Sequence, residues 1–336
     1  MKEALVNVPV AIHAFIRPKM LEKQWAVIKE ARPSVLIIRS DGPRASVPSD
    51  KEKIAECRKI VEDIDWECDV HKLYFEENQG MYNMIDISYE YIWSRFDRCI
   101  FLEDDQIPSV SYFKYCEYLL EKYKDDLRIH CIHGVNLCEK WDKTDADYFF
   151  AKVPVSSGKA TWKRSFEMCE NVLDYKDNAY VSNLMYKTMP KYMKKQFKSF
   201  AETGTYANHR PGGEFFVRYA EICQNQLVII PKYNLINNIG VGEGSTHTAN
   251  NIKAMPKKLQ KMYDMKTYEY EFPLKDAEFV IADVDFEKER EKQLGVYSPL
   301  QKAARFISRS VRLVLFGEGK RLIKGITKRL RGNLEQ

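Results

Sequence analysis

The stretch Cys99-Ile-Phe-Leu-Glu-Asp-Asp-Gln-Ile-Pro108 is an apolar run that ends in three consecutive carboxylates, Glu103, Asp104 and Asp105, with a proline three residues further on. A short apolar run closed by a breaker predicts a buried strand, here Arg98 to Leu102, that Pro108 stops from continuing. Acids at the carboxyl end of a central α/β strand lie where open sheets form their ligand crevice. Hard oxygen ligands at that place suit Mg²⁺ or Mn²⁺, an ion that commonly holds a diphosphate. An isolated acidic triplet also reads as a solvated turn, so its meaning depends on its surroundings.

Upstream, strands and helices alternate. Val8 to Phe15 predicts a strand, and Pro18 to Ala31 a helix with proline in its tolerant first turn. Val35 to Arg39 predicts a second strand ending in the turn Ser40-Asp41-Gly42-Pro43, and Asp50 to Ile64 a helix capped by Ser49. Val70 to Phe75 is a third strand, Asn78-Gln79-Gly80 a turn, and Tyr82 to Ser94 a helix leading to the fourth strand. This alternation predicts an α/β fold, a mostly parallel sheet flanked by helices with right-handed crossovers. No G-x-G-x-x-G follows the first strand, so the dinucleotide fingerprint is absent.

Downstream, Ser109 to Lys124 reads as a helix and Ile129 to Val135 as a strand. Trp141 to Arg210 is irregular and aromatic-rich, with a basic helix around Lys187 to Lys198. Gly212-Gly213 precede a helix from Glu214 to Gln224. Leu227 to Pro231 is a buried strand, followed by the glycine-rich run Asn237 to Thr248. There are no internal repeats.

The 336 residues suffice for one large α/β domain with an appendage. Eight scattered cysteines without a C-x-x-C pair argue against a zinc site and suit a reducing compartment. No 18-residue apolar stretch exists, and Met1 to Val10 is too polar for a signal peptide, so a cytosolic location is expected. From Lys302 to Arg331 ten bases stand against one acid, Glu318; this tail carries +9 and, the whole chain being +5, the rest carries −4.

The order strand, Arg-Pro, Ser-Asp-Gly, Asn-x-Gly, Leu-Glu-Asp-Asp resembles a GT-A nucleotide-sugar glycosyltransferase. The similarity is to the branch that holds N-acetylglucosaminyltransferase I and bacterial polysaccharide enzymes labelled hemolysin-like. It covers roughly residues 8 to 250 and is most specific at Phe101 to Asp105 and at Asn238-Ile239-Gly240 leading to Thr246-His247-Thr248. Ala160-Thr161-Trp162-Lys163-Arg164 resembles the Ala-Thr-Trp-Arg segment of the bacterial members. The resemblance implies that Asp105 is the direct ligand of Mn²⁺ or Mg²⁺, with Glu103 and Asp104 beside the ribose or metal shell. It places Ala14, Phe15 and Arg17 by the nucleotide base, where a small residue leaves room for a ring and the arginine reaches a phosphate.

Asp41 would accept bonds from uracil or ribose hydroxyls, with an ordinary turn aspartate as the equal alternative, and Gly80 would permit close backbone approach. Met81-Tyr82-Asn83 stand where bacterial relatives often carry a base soon after this glycine. Glu214, at a helix start, is the first candidate for the base that deprotonates the acceptor in an inverting transfer, and Glu243 the second. His247 reads as a metal ligand, a phosphate donor or a hydrogen-bonded loop histidine. Gly158 and Trp162 are expected at the sugar pocket, with plain core as the other reading of Trp162.

Within the tail, Leu300, Ala303, Ala304, Ile307, Val311, Val314 and Leu315 recur at helical spacing, with Arg305, Arg309 and Arg312 towards the other side. After Gly317 and Gly319, Leu322, Ile323, Ile326 and Leu330 repeat the pattern. A basic amphipathic helix reads as a membrane-surface element. Packing on the body or on a second copy is the alternative, and sparse aromatics disfavour a nucleic-acid arm.

The expectation is therefore a GT-A domain over 1–295 and a membrane-associating tail over 296–336. Its nucleotide-binding half covers about 1–136 and its acceptor half about 137–295. A metal-dependent, inverting transferase would move a sugar from a nucleotide donor, UDP-sugar favoured, to a lipid-linked or polysaccharide acceptor at the inner face of a bacterial plasma membrane. A sugar-phosphate nucleotidyltransferase shares the sheet but needs a Gly-rich basic loop that Ala14-Phe15-Ile16-Arg17-Pro18 lacks. A non-catalytic, membrane-bound nucleotide-sugar-binding protein is the third reading.

Overall fold

Strand β1 (Val6–His13) is apolar along almost its whole length because it has parallel neighbours on both sides, β2 (Pro33–Ser40) and β4 (Arg98–Leu102). In this computed structural model the described residues are 1–152, 158–170, 177–189, 220–241 and 251–319, with positions 193, 194, 197, 198, 218, 322 and 323 besides. Helix α1 (Pro18–Ala31) crosses from β1 to β2, α2 (Asp50–Ile60) from β2 to β3 (Asp69–Tyr74), and α3 (Met81–Trp93) from β3 to β4. The chain thus steps outward from β1 through β2 to β3, then returns to place β4 on the other side of β1. That reversal makes the carboxyl ends of β1 and β4 the switch point of the sheet, where an open α/β fold has its crevice.

Beyond β4 come β5 (Gln106–Pro108), α4 (Ser111–Lys122), β6 (Ile129–His133), β7 (Tyr148–Ala151) and β8 (Lys159–Trp162). Then follow α5 (Lys163–Glu170), α6 (Ala179–Thr188), β9 (Leu227–Pro231) and β10 (Ile236–Asn238). The main sheet has eight strands in the order β3-β2-β1-β4-β8-β6-β9-β7. Its strands are parallel except β8, which runs antiparallel between β4 and β6, and β7, antiparallel on β9 at the edge. The fold is a mixed, mostly parallel, Rossmann-like α/β sheet covered by helices, as the alternation of elements implied.

The largest departure from the sequence reading is β8. The segment Trp141 to Arg210 read as irregular, yet it contributes β7 and β8, and β8 sits in the middle of the sheet. Both strands have four residues, too few for a period to show. Trp162, expected at the sugar pocket, is instead core: it is 4% exposed and its indole N–H donates to Leu120 O of α4 at 3.0 Å. Arg164 covers the ring at 4.3 Å and donates to the carbonyls of Tyr123, Lys124, Asp126 and Ile129.

After β10 the chain folds back onto the sheet. Glu269 accepts from the amides of Val110 at 3.0 Å and Ser111 at 2.7 Å, supplying the start of α4 with the negative charge it lacks locally. Asp283 caps α7 (Val284–Gln293), accepting from Asp285 N and Phe286 N at 3.0 and 2.9 Å, and its other oxygen accepts from the Trp141 indole at 2.6 Å. Phe286 is fully buried, with its ring centroid 4.7 Å from Phe149 on β7. Helix α8 (Pro299–Leu315) ends the described body.

If residues 266–293 are an integral layer of the domain, Phe286→Ala should destabilise the whole fold by about 3–5 kcal/mol, the usual cost of emptying an aromatic core site. Urea unfolding followed by tryptophan fluorescence should keep one transition. A second, earlier transition would show that the returning segment unfolds alone.

Candidate functional site

The three-carboxylate turn is held open by a neutral side chain. Gln24, fully buried on α1, donates its amide to Glu103 O at 2.6 Å and Gln106 O at 2.7 Å. Gln106 returns a bond, its side-chain oxygen accepting from Glu103 N at 3.2 Å. With its backbone so fixed, the turn leaves Glu103 exposed and tucks Asp104 and Asp105 inward. Arg17, the residue before α1, lies between them, one Nη1 donating to Asp104 Oδ1 and Asp105 Oδ2 at 3.1 Å each.

Burial pushes both acids up, Asp104 to about 6, while the Arg17 charge pulls them back down. One guanidinium thus faces two carboxylates.

β10 closes the site from the opposite side. It pairs antiparallel with β5, Asn238 opposite Gln106, and brings Asn238 Nδ2 to Asp105 Oδ1 at 3.3 Å. The next turn is tied by Ile239 N donating to Asp105 O at 2.8 Å and Gly240 N to Asn238 Oδ1 at 2.8 Å. A Cβ on Gly240 would lie 2.0 Å from Asp105 Oδ2, so any other residue there would push the Asp105 carboxylate from its place. Beyond it opens a cavity of about 440 Å³ lined by Ile239, Val241, Asn251, Ile252 and Tyr263. Ile239 both lines this cavity and donates to Asp105 O, so the cavity adjoins the acidic turn, and the Tyr263 phenol is pushed up by burial and then by the Asp105 charge.

At the end of β2, Asp41 takes the turn role and not the ligand role. Its Oδ1 accepts from Gly42 N and Gln79 N, both at 2.8 Å, and its Oδ2 from Asn78 Nδ2 at 3.0 Å and Gly80 N at 3.1 Å. Four donors fill the four lone-pair sites of a carboxylate, so Asp41 anchors the Asn78–Gly80 loop and has none left for uracil or ribose. Gly80 caps α3 with φ +76° and has open space where a Cβ would stand. Its glycine answers a backbone need, with room left beside it.

Ala14 is fully buried, its amide donating to Arg39 O at 2.8 Å, whereas Phe15 lies at the surface of the crevice under the Arg44 guanidinium, 5.8 Å away. Gly158 has φ +58° and packs so closely on Ile236 that a Cβ would meet its Cδ1 at 2.0 Å. It serves the contact between β8 and β10 as a close-packing residue. Glu214, Glu243 and His247 lie outside the described residues.

Sequence reading missed Arg39, Gln24 and Asn238 as site residues. Arg39 is 6% exposed and donates to Ile12 O at 3.3 Å and Leu102 O at 3.5 Å, placing a buried cation under the ends of β1 and β4. Burial, Arg39 and Arg17 together hold His13 down at about 3, so it is a neutral imidazole beside two cations. The signal for Arg39 was an arginine ending an otherwise apolar strand; Gln24 gave none, being one polar residue on a helix.

Among the described residues no group of three or more His, Cys, Asp or Glu side chains could enclose a metal ion. Asp104 and Asp105 nonetheless fit a hard divalent cation of the Mg²⁺ kind. They are adjacent and oxygen-only, and such ions normally complete their shell with phosphate oxygens and water.

No family model matches the sequence, and no curated protein matches it. Solved structures give weak similarity. UDP-glucose pyrophosphorylase complexed with UDP-glucose is 12% identical, with a TM-score of 0.35 over 68% of this chain and 91% of that one. UTP-bound UGPase from Acinetobacter baumannii is 8% identical, with a TM-score of 0.35 over 69% and 88%. A 4-diphosphocytidyl-2C-methyl-D-erythritol synthase from Anaerococcus prevotii is 10% identical, with a TM-score of 0.32 over 66% and 99%. At these values the likenesses carry no argument about activity. These proteins are a pyrophosphorylase and a synthase, and lend no support to a glycosyltransferase in particular.

Asp41→Ala should free the Asn78–Gly80 loop, costing about 3 kcal/mol for lost bonds to a charged acceptor. Amide hydrogen exchange at Gln79 and Gly80 should speed up selectively. Unchanged exchange at both would remove the anchoring role.

Proposed function

We propose that this chain is an enzyme acting on a nucleotide sugar, and that the crevice at the ends of β1 and β4 is its active site. The observation that carries the reading is the buried Asp104–Asp105 pair at the switch point, bridged by Arg17 and backed by Arg39. Acids side by side with cations in one cleft suit a ligand that brings both an anion and a cation, as a metal-bound diphosphate does. Phe15 offers a ring face to the base, Arg17 and Arg39 offer charge to the phosphates, and Asp105 with Asp104 would hold Mn²⁺ or Mg²⁺. The ion supplies charge neutralisation of the diphosphate when bound.

The first reading is glycosyl transfer with inversion. The acceptor hydroxyl oxygen bonds to the sugar's anomeric carbon from one face as the bond to the phosphate oxygen breaks on the other. The hydroxyl proton passes to a carboxylate, for which Glu214 is the first candidate and Glu243 the second, with His247 a candidate phosphate donor or metal ligand. The cavity beside Gly240, partly apolar, is the place proposed for the acceptor, of lipid-linked or polysaccharide type.

The second reading is nucleotidyl transfer to a sugar phosphate, the class of the UDP-glucose pyrophosphorylases that share part of the fold. What counts against it is the connection from β1 to α1. Ala14 to Arg17 is four residues long and has no glycine, so it offers no row of open backbone amides to a triphosphate.

The product separates the two. With Mn²⁺ and no acceptor, water should slowly cleave UDP-glucose to UDP and glucose, and pyrophosphate should not convert it to UTP and glucose 1-phosphate. UTP formation would establish the second reading; binding with neither product would make the chain a non-catalytic binder. A thermal-shift screen of nucleotide sugars should find the donor first, since a ligand of the native state raises Tm.

Asp105→Asn should abolish metal-stimulated donor binding while the ligand-free protein remains folded, because burial already disfavours the ionised carboxyl. Near-wild-type turnover in that variant would remove the metal role.

Glu214→Gln should keep donor affinity and lower transfer by roughly two to four decades, the share of a general base. Retained anomeric configuration in the product would exclude inversion and the role with it.

A further inference from the structure

Helix α8 is mounted inside out. An ordinary surface helix turns its apolar stripe to the core. Here Leu300 is 83% exposed, Ile307 61% and Leu315 72%, with Ala303, Ala304, Val311 and Val314 exposed beside them. What faces the body is largely polar. Arg305 Nη1 donates to Leu294 O at 2.7 Å, Arg312 Nη1 to Lys253 O at 2.9 Å, and Glu318 accepts from Asn251 N at 3.2 Å. Leu313 is buried with them. The arginines read from the sequence as the helix's outer, charged side are therefore divided: Arg305 and Arg312 peg it to the body, while Arg309 stays exposed.

The surroundings of the stripe are basic. Residues 296–319 carry Lys302, Arg305, Arg309 and Arg312 against Glu318, and the segment 251–261, which Arg312 reaches through Lys253 O, carries Lys253, Lys257, Lys258 and Lys261 with no acid. These four lysines are exposed. We propose that the outer face of α8 docks on an anionic lipid bilayer, the apolar stripe entering the interface and the flanking lysines meeting lipid head groups. Among the described residues no helix is long and apolar enough to cross a membrane, so the attachment is one of surface contact. A second copy is the poorer occupant, because pairing two such faces brings two basic rims together. The docked side has a consequence for the site. The segment under α8 supplies Asn251 and Ile252 to the cavity beside Asp105, so the bilayer and the cavity share one structural element.

The test uses the full chain with vesicles of phosphatidylcholine alone or with about 30% phosphatidylglycerol, in flotation at low and high salt. Wild type should float with the anionic vesicles, and high salt should weaken its binding because the attraction is screened. Ile307→Glu with Val311→Glu should lower binding by at least about tenfold, since both side chains would have to enter the interface as charges. Both positions are exposed, so the melting temperature should not move; Ile307→Leu should bind as wild type does. Lys257→Glu with Lys258→Glu should reduce binding to anionic vesicles and abolish most of the salt dependence. Equal flotation of wild type and the Ile307/Val311 variant would overturn the proposal. So would a wild-type dimer in sedimentation that this variant dissociates, with no vesicle binding by either.

Discussion

Two carboxylates, Asp104 and Asp105, stand side by side with most of their surface out of water, and like charges so placed raise each other's cost. Arg17 makes the arrangement tenable by lending one Nη1 to both. That single contact explains much of the local architecture. Arg17 reaches the pair because α1 starts immediately after it, with Pro18 fixing the first turn. The acids present the right oxygens because Gln24, on the same helix, holds the carbonyls of Glu103 and Gln106. One helix thus positions both the cation and the turn it neutralises.

The parallel half of the fold was legible because its elements are long enough to show a period and are separated by recognisable breakers. Helix Pro18–Ala31 and strands Arg98–Leu102 and Leu227–Pro231 stand where the residues put them. β8 was not legible, because four residues do not reveal a direction, and its place between β4 and β6 is set by tertiary pairing. The acidic turn was recognisable from its three carboxylates. Its partner Arg17 was recognisable only as an arginine near a strand end. Asp41 illustrates the limit of reading a residue type. An aspartate after a strand suits a ligand or a turn equally, and here the donors of Gly42, Asn78, Gln79 and Gly80 decide for the turn. Trp162 is the same case: an aromatic side chain in a recognisable segment, claimed by the core through its indole bond to Leu120.

Residues 236–241 and 251–263 link parts of the molecule that the sequence presents as separate. Ile236–Asn238 pairs with β5 and so with the acidic turn; Ile239 and Gly240 continue along Asp105; Ile252 and Tyr263 line the cavity; and Asn251 and Lys253 receive α8. α8 and the acidic turn thus meet the cavity from two sides, α8 through Asn251 and Lys253 and the turn through Ile239. If α8 rests on a bilayer and the cavity receives an acceptor, a lipid-linked acceptor would meet both through one surface, with only its head group needing to leave the interface. A soluble acceptor would gain nothing from that placement. Under those two proposals, bilayer docking and acceptor binding in the cavity, the position of α8 would favour the lipid-linked class over the polysaccharide class.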